Sequence, residues 1–236
     1  MKFTPLPALD GQPGVQYTLG TDRSRVRPGD TSIEYHLNSD RYRCAEWEDL
    51  DWSRATWLFG DSFAIGIGVA QQHSIADLIA ASTGCDVVNV SQGGSSIRYQ
   101  VDQLHNMLAQ GLRPQRVAVI WPDPQRWPWW GSEDTLGQAR QDFMYRAHTA
   151  CDVYMRRRAH HDIQDFRNVM ELLSVPWAEL TWSTETQAAI APPKSCSRPE
   201  DWTYCQIDQG RDLQHPGRRS HWVAHKEIQD QWATFK

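Results

Sequence analysis

The sequence has little that would suit a metal, a membrane or a nucleic acid. Its five cysteines include no Cys-x-x-Cys pair, which argues against a zinc ribbon or a thioredoxin-like redox site. No stretch approaches the roughly 18 apolar residues of a membrane-spanning helix, and the first residues lack the apolar core of a secretion signal. The net charge is −5, so the chain has no basic excess for nucleic acid or an anionic membrane. We therefore expect neither a nucleic-acid partner nor a membrane partner.

The cysteines also bear on the cellular compartment. They are odd in number and scattered along the chain, which favours a reducing environment. A cytoplasmic location is the expectation, although the sequence leaves the location otherwise open. A disulfide between Cys196 and Cys205 remains an alternative.

From residue 55 onward, short apolar runs alternate with helical patterns. The predicted strands cover 55–60, 86–90, 116–121 and 178–182, with 202–207 as a candidate fifth strand. The predicted helices cover 74–83, 97–111, roughly 135–173 and 217–234. Strands separated by helices predict a three-layer α/β/α sandwich, in which helices cover both faces of a parallel sheet.

Residues 1–54 differ from the rest of the chain. Proline and glycine punctuate this polar segment, and it has no clear periodicity. The length of 236 residues suits one α/β domain of ordinary size with an extension. We predict that residues 1–54 are an N-terminal extension that packs on a single domain, residues 55–236.

A Gly60-Asp61-Ser62 triplet follows the first predicted strand of the domain. In parallel sheets flanked by helices, ligands bind at the carboxyl ends of the strands, which is where this serine falls. Ser62 either caps a helix in an ordinary turn or serves as a nucleophile. For Asp61, we expect a role in ordering the turn.

A second signal lies near the C-terminus, where Asp212 and His215 are three residues apart in a predicted loop. At this spacing, one short loop can present both side chains. Asp212 can accept a hydrogen bond from one imidazole nitrogen of His215, which leaves the other nitrogen free to take a proton from Ser62. The sequence therefore predicts a Ser-His-Asp triad across the carboxyl edge of the sheet.

The serine triplet, the Asp212-x-x-His215 pair and the alternation between them resemble the SGNH (GDSL-type) hydrolases. The resemblance covers roughly residues 37–230 and includes LNSDRYRCAEW (37–47), which is similar to a segment that often precedes the serine block in bacterial relatives. It implies a flavodoxin-like fold and hydrolysis of acyl esters without a metal or an organic cofactor. In VNVSQGGSSI, Gly94 matches the family's oxyanion glycine, with Gly93 as the alternative. The backbone N–H of Ser62 is then the other oxyanion donor.

The family has a further conserved motif, the asparagine block at the end of its third strand, and this chain departs from it. The family ends its third strand in a turn whose asparagine donates to the oxyanion, whereas this chain has VIWPDPQRWPWW. The asparagine position falls near Pro124, which has no N–H to donate. Gln125 and Arg126 carry N–H groups and are the candidate replacements. Losing one oxyanion donor typically costs about 100- to 1,000-fold in rate.

Tryptophan and histidine patterns leave two further alternatives. Four of the twelve tryptophans fall within ten residues, either as a rigid loop over the sheet edge or as a platform for sugars or acyl chains; they are Trp121, Trp127, Trp129 and Trp130. His221 and His225 have a spacing that suits a metal, but no third ligand joins them, and we expect a solvated or half-buried helix face. His160 and His161 are expected on an exposed helix.

These patterns favour a serine esterase that acts on an acylated carbohydrate or a similar small polar ester. One alternative is a weak or inactive SGNH-fold module in a larger assembly, such as a homo-oligomer or a viral particle. The altered asparagine block, the extension and the tryptophan excess motivate it. Another alternative is an acyltransferase with the same triad.

Overall fold

The computed structural model describes residues 3–5, 33, 35–124, 126, 152–192, 194, 206–210 and 215–235. Within these ranges the chain forms a parallel four-stranded sheet with the strand order β2-β1-β3-β4. The strands are β1 (Thr56–Phe59), β2 (Val87–Asn89), β3 (Arg116–Trp121) and β4 (Trp177–Thr181). The four-strand core of the prediction is confirmed, with each end shifted by one residue at most.

Six helices accompany the sheet in the described ranges. They are α1 (Ser62–Ile65), α2 (Ile75–Thr83), α3 (Ile97–Ala109), α4 (Asp152–Leu173), α5 (Thr184–Ala189) and α6 (Arg218–Thr234). Helix α2 packs with α6, and α3 packs with α4. Right-handed crossovers from this strand order put the two pairs on opposite faces of the sheet. All residues of β1 are buried, as expected for a strand covered on both sides.

Local chemistry explains where the helices begin. The Ser74 hydroxyl accepts a hydrogen bond from the Asp77 backbone N–H, 3.2 Å, at the start of α2. The Asp77 carboxylate accepts from the Gln71 side chain, so Ser74 and Asp77 form only half of a capping box. Gly111, predicted to end α3, follows the helix with a left-handed φ of 79°.

The strand order creates a crevice at the site of interest. From the central strand β1, the chain first moves outward to β2 and then returns to β3 on the other side. Such a reversal opens a gap between the carboxyl ends of the two strands, where ligands bind in folds of this type. Residues 60–62 follow β1, and residues 122–126 follow β3. The serine triplet and the altered asparagine block therefore lie at the same edge of the sheet.

Parts of the N-terminal segment contact the domain. The Thr4 N–H donates to the Gln110 Oε1 at 2.9 Å, and the Thr4 carbonyl accepts from the Gln110 Nε2 at 2.8 Å. The hydroxyls of Tyr42 and Tyr99 are 2.6 Å apart, which ties this segment to α3. The boundary at residue 54 stays a prediction.

Trp121 lies in the core rather than on a surface. It is fully buried at the end of β3, with its ring 5.0 Å from that of Phe166. Its Nε1 donates to Glu179 Oε2 across 2.6 Å. The rigid loop and the platform, the two alternatives for the tryptophan cluster, are therefore both excluded for Trp121, because β3 continues through it.

Several sequence predictions fall outside the described residues. These are the disulfide between Cys196 and Cys205, the first part of the long helix before 152, and Trp127, Trp129 and Trp130. Most of the candidate fifth strand also lies there, and its last two residues, Gln206 and Ile207, are not in a strand. Cys44 and Cys85 are free thiols. Among the helices described, none combines the length and the apolar character needed to cross a membrane.

Candidate active site

The turn between β1 and Ser62 depends on Gly60. This residue has a φ of 155°, and a Cβ built on it would stand 2.6 Å from the Ala64 Cβ. Its N–H donates to the Gln100 Oε1 at 3.0 Å, and its carbonyl accepts from the Gln100 Nε2 at 3.0 Å. A side chain of α3 therefore fixes both polar groups of the glycine, and no larger residue fits here.

Ser62 is the first residue of α1 and is 7% exposed. Asp61 caps this short helix, since its Oδ1 accepts from the Phe63 N–H at 2.9 Å. The helix ends at Gly66, which has a left-handed φ of 80°. The expected role of Asp61 in ordering the turn is confirmed, and Ser62 lies at the carboxyl edge of β1.

A buried arginine holds the segment that follows the serine. The Arg43 guanidinium donates through Nη1 to the carbonyls of Ile65 (3.1 Å) and Gly66 (2.6 Å), and through Nη2 to that of Val69 (3.2 Å). Its Nε donates to Gln71 Oε1 at 2.8 Å. Burial lowers the pKa of Arg43. The four bonds take the place of the water that a buried cation loses.

The loop that carries His215 is closed on itself and docked beside the same segment. The Gly210 N–H donates to the His215 carbonyl at 2.7 Å, and the Gly217 N–H donates to the Asp208 carbonyl at 3.0 Å. A Cβ built on Gly210 would stand 2.9 Å from the Gly68 Cα, so the two backbones touch. The backbone around His215 is therefore anchored next to the chain that follows Ser62.

The His215 side chain reaches the residue after the serine. Its ring lies 5.9 Å from the ring of Phe63 in a T-shaped arrangement, with an interplanar angle of 66°. The structure thus brings His215 to the serine turn. Asp212 and Gln125, the other predicted triad member and one candidate donor, lie outside the described residues.

Asp61 does more than cap α1. The carboxylate is fully buried, and its Oδ2 accepts from Arg126 Nη1 at 2.7 Å and from Trp182 Nε1 at 3.1 Å. Burial raises the pKa of Asp61, and the charge of Arg126 is the strongest opposing influence. This carboxylate therefore joins the serine turn to the loops that follow β3 and β4.

Arg126 lies between the two candidate backbone donors of an oxyanion hole. Its Nη1 contacts the carboxylate of Asp61, the neighbour of Ser62, and the carbonyl of Ser95, the neighbour of Gly94, at 3.4 Å. Gly94 has a left-handed φ of 70°, and the space where a Cβ would stand is open. Arg126, one of the two candidate replacements for the asparagine, thus places a cation at the serine turn.

Trp182 completes the cluster. Its ring is stacked on that of Phe63, with centroids 4.5 Å apart and planes inclined by 5°. The Arg126 Cζ lies 5.4 Å from the centroid of the same tryptophan. Sequence reasoning missed Trp182 and also Arg43. The only signal for Arg43 was the resemblance of residues 37–47, and Trp182 stands outside the tryptophan cluster that drew attention.

The histidines of α6 correct another expectation. His221 and His225 are 0% and 6% exposed, so the predicted solvated or half-buried face is wrong: α6 packs this side against α2. Burial, followed by the charge of Arg43, lowers the pKa of His221 to about 3. His225 Nε2 is 2.9 Å from the Ser82 hydroxyl. In the part of the chain that the structure describes, no three His, Cys, Asp or Glu residues form a metal-binding group.

His160 and His161 agree with the sequence. Both are exposed on α4, and their rings lie 6.0 Å apart. The expectation of an exposed helix face is confirmed for this pair.

Neither protein-family models nor curated proteins give a match to this chain. Among solved structures, the chain is similar to the acetyl xylan esterase Est2A from the rumen bacterium Butyrivibrio proteoclasticus, with 14% identity and a TM-score of 0.44. The match covers 74% of this chain and 62% of Est2A, so the chain spans less than two thirds of that esterase.

Two further solved structures are similar over most of their own length. The psychrotrophic esterase EstA from Pseudoalteromonas sp. is 13% identical, with 75% of this chain and 96% of EstA covered and a TM-score of 0.42. A member of the lipolytic protein G-D-S-L family from Veillonella parvula is 11% identical, with a TM-score of 0.36. The match covers 74% of this chain and 95% of that protein.

Proposed function

We propose that this protein is a serine esterase that hydrolyses an acyl ester with Ser62, His215 and Asp212. One observation supports this more than any other: the His215 ring packs against Phe63, the residue next to Ser62, in the crevice between β1 and β3. The imidazole, from a distant part of the chain, thus contacts the serine turn through Phe63, at the sheet edge that holds ligands in this architecture.

In the proposed reaction, Ser62 attacks the acyl carbonyl while His215 takes the hydroxyl proton. His215 then returns the proton to the leaving alcohol, and water releases the acid from the acyl-enzyme. Asp212 orients the imidazole and stabilises its charged form. The N–H groups of Ser62 and Gly94 hold the oxyanion that develops during both steps.

Arg126 is the proposed third oxyanion donor. Its Nη1 is held between the neighbours of the two backbone donors, Asp61 and Ser95. In the described part of the chain, these bonds use only Nη1 and leave Nε and Nη2 for a substrate oxygen. A guanidinium supplies a positive charge as well as N–H donors, so it can replace an asparagine at a developing negative charge.

Trp182 does not favour a sugar-stacking surface, because Phe63 is stacked on its ring and the Arg126 guanidinium lies over the same ring. An acetylated carbohydrate therefore remains a candidate substrate through the tryptophans at 127, 129 and 130 alone.

The experiment is turnover of p-nitrophenyl acetate together with labelling by a fluorophosphonate probe. Ser62→Ala should abolish both, and His215→Gln should suppress turnover. Ser53→Ala, at an exposed serine, is the matched control and should leave both unchanged. Turnover that persists in Ser62→Ala would remove the assignment.

The same assay separates the two alternatives. A folded wild-type protein that resists the probe and forms oligomers by light scattering would indicate a structural or binding module, which Pro124 in place of the expected donor favours. Transfer of the acetyl group to added sugar, in preference to water, would indicate an acyltransferase.

A further inference from the structure

A stack of three side chains stands beside the proposed triad. The Arg126 guanidinium covers one face of Trp182 at 5.4 Å from the ring centroid, and the Phe63 ring is stacked on the tryptophan at 4.5 Å. These three residues come from three connections, those that follow β3, β4 and β1. The stack therefore spans the crevice at the carboxyl edge of the sheet.

Buried polar contacts fix the stack in place. Asp61 Oδ2 accepts from both Arg126 Nη1 and Trp182 Nε1, and Asp61 Oδ1 accepts from the Phe63 N–H. One carboxylate thus binds the side chains of Arg126 and Trp182 and the backbone of Phe63. Because Asp61 is fully buried, loss of either side-chain donor leaves it less well satisfied, so these bonds hold the guanidinium and the indole in place.

We propose that Trp182 is a positioning residue for His215, acting through Phe63. The imidazole packs in T-shaped geometry against Phe63, whose other contact in the stack is the face of Trp182. With the tryptophan in place, Phe63 has a single orientation and gives His215 a fixed wall. Aromatic pairs of these two geometries attract each other beyond the area that they bury.

The role follows from what a general base needs. His215 must stay within hydrogen-bond reach of the serine proton, and an error of about 1 Å can cost roughly 100-fold in rate. The His215 backbone is already anchored by the Gly210 N–H. The stack restricts the remaining freedom, which is rotation of the side chain. The Asp61 carboxylate also interacts electrostatically with this imidazole.

The inference rests on the proposed function for its kinetic test but not for its spectroscopic test. The variants are Trp182→Phe, which keeps an aromatic ring between Arg126 and Phe63, and Trp182→Leu, which removes it. Trp222→Leu is the matched control, since Trp222 is 54% exposed on α6. NMR of the imidazole signals reports on His215 in the full chain, with His215→Gln used to assign them.

In the kinetic test, Trp182→Leu should lower kcat by roughly 10- to 100-fold with little change in KM, and Trp182→Phe, which keeps the ring but also loses the Nε1 bond to Asp61, should lie between the leucine variant and the wild type. The pH midpoint of the profile of kcat against pH should shift in Trp182→Leu only. A rise in KM with kcat unchanged would show that Trp182 contacts substrate instead, and would overturn the proposal.

In the spectroscopic test, the His215 signals of Trp182→Leu should broaden or split, those of Trp182→Phe, which also loses the bond to Asp61, should change less, and those of Trp222→Leu should stay as in the wild type. Unchanged His215 signals in a folded Trp182→Leu would overturn the positioning role. Because this readout needs no turnover, it decides the proposal even if Ser62 proves unreactive and the esterase assignment fails.

Discussion

Gly210 touches Gly68, so that a Cβ at position 210 would stand 2.9 Å from the Gly68 Cα and 3.0 Å from its carbonyl oxygen. This contact sets the distance between the loop that ends at His215 and the segment that follows Ser62. The neighbour is backbone rather than a flexible side chain, so a methyl group at 210 forces one of the two segments to move.

Gly210→Ala should therefore lower kcat by roughly 10- to 100-fold. Its effect on kcat should exceed its effect on the free energy of unfolding when both are expressed as free energies. The control is Gly84→Ala, where nothing lies within 4 Å of the added Cβ and only the left-handed φ of 64° is strained. That control should lose about 1–2 kcal/mol of stability and keep its kcat. Equal effects of both substitutions on p-nitrophenyl acetate turnover would contradict the docking role.

Arg126→Gln should reduce kcat/KM by roughly 100- to 1,000-fold if the guanidinium holds the oxyanion. The substitution also strips the buried Asp61 carboxylate of its ionic partner, so the single variant is expected to lose stability. The double variant Asp61→Asn/Arg126→Gln removes both charges and separates the two effects.

The double variant should unfold at a higher urea concentration than Arg126→Gln. It should hydrolyse p-nitrophenyl acetate as slowly as Arg126→Gln does. Recovery of turnover in the double variant would mean that Arg126 serves only to balance Asp61. Arg126→Lys, which keeps the charge without the forked donors, should lie between the wild type and Arg126→Gln.

Arg43→Lys should destabilise the protein although it keeps the charge. An ammonium group cannot reach the three carbonyls and the Gln71 oxygen that the guanidinium binds. Each hydrogen bond from a charged group is worth about 1.5–3 kcal/mol, and at least one is lost. Urea denaturation measures the change, with the exposed Arg113→Lys as a control that should shift the midpoint little.

His221 should make the fold sensitive to acid. Its pKa falls from 6.5 to about 3 in the folded chain, so the unfolded chain takes up a proton over that range while the folded chain does not. Stability should then decline as the pH falls below 6.5, by up to about 1.4 kcal/mol per pH unit. Burial raises the pKa of Asp61 and Glu179, and these two carboxyls oppose the trend by favouring the folded state in acid.

The measurement is the urea midpoint at pH 7 and pH 5. His221→Gln cannot be protonated and should lose less stability between the two pH values than the wild type. His161→Gln, at an exposed histidine of α4, should follow the wild type. Identical pH dependence in all three proteins would show that His221 does not resist protonation in the fold.

The sheet was the most predictable part of the molecule. Runs such as Thr56–Phe59 and Arg116–Trp121 are apolar because helices cover both faces of each strand, and that burial leaves a direct trace in the sequence. Ser74 and Gly111 marked helix ends for equally local reasons. The candidate strand at 202–207 had weaker support, and its last two residues are not in a strand.

The site was less predictable, because its contacts join residues that are distant in sequence. Ser62 and His215 stood out through their spacing from recognisable neighbours. Nothing in the residues around Trp182 indicates that its indole bonds to Asp61, since that contact exists only once β1 and β4 are aligned. Arg43 lies in a polar segment without periodicity, and a buried cation with carbonyl partners leaves no pattern along the chain.

The hydrogen bonds from Arg43 limit how this serine turn could be grafted into another protein. The strand β1, the turn and α1 look like a portable cassette, but the carbonyls of Ile65, Gly66 and Val69 rely on a guanidinium encoded before the cassette begins. A graft that starts at β1 would leave those oxygens without the guanidinium donors that they have here. The segment that can be exchanged as a unit is therefore longer than the Gly60-Asp61-Ser62 motif and must include Arg43.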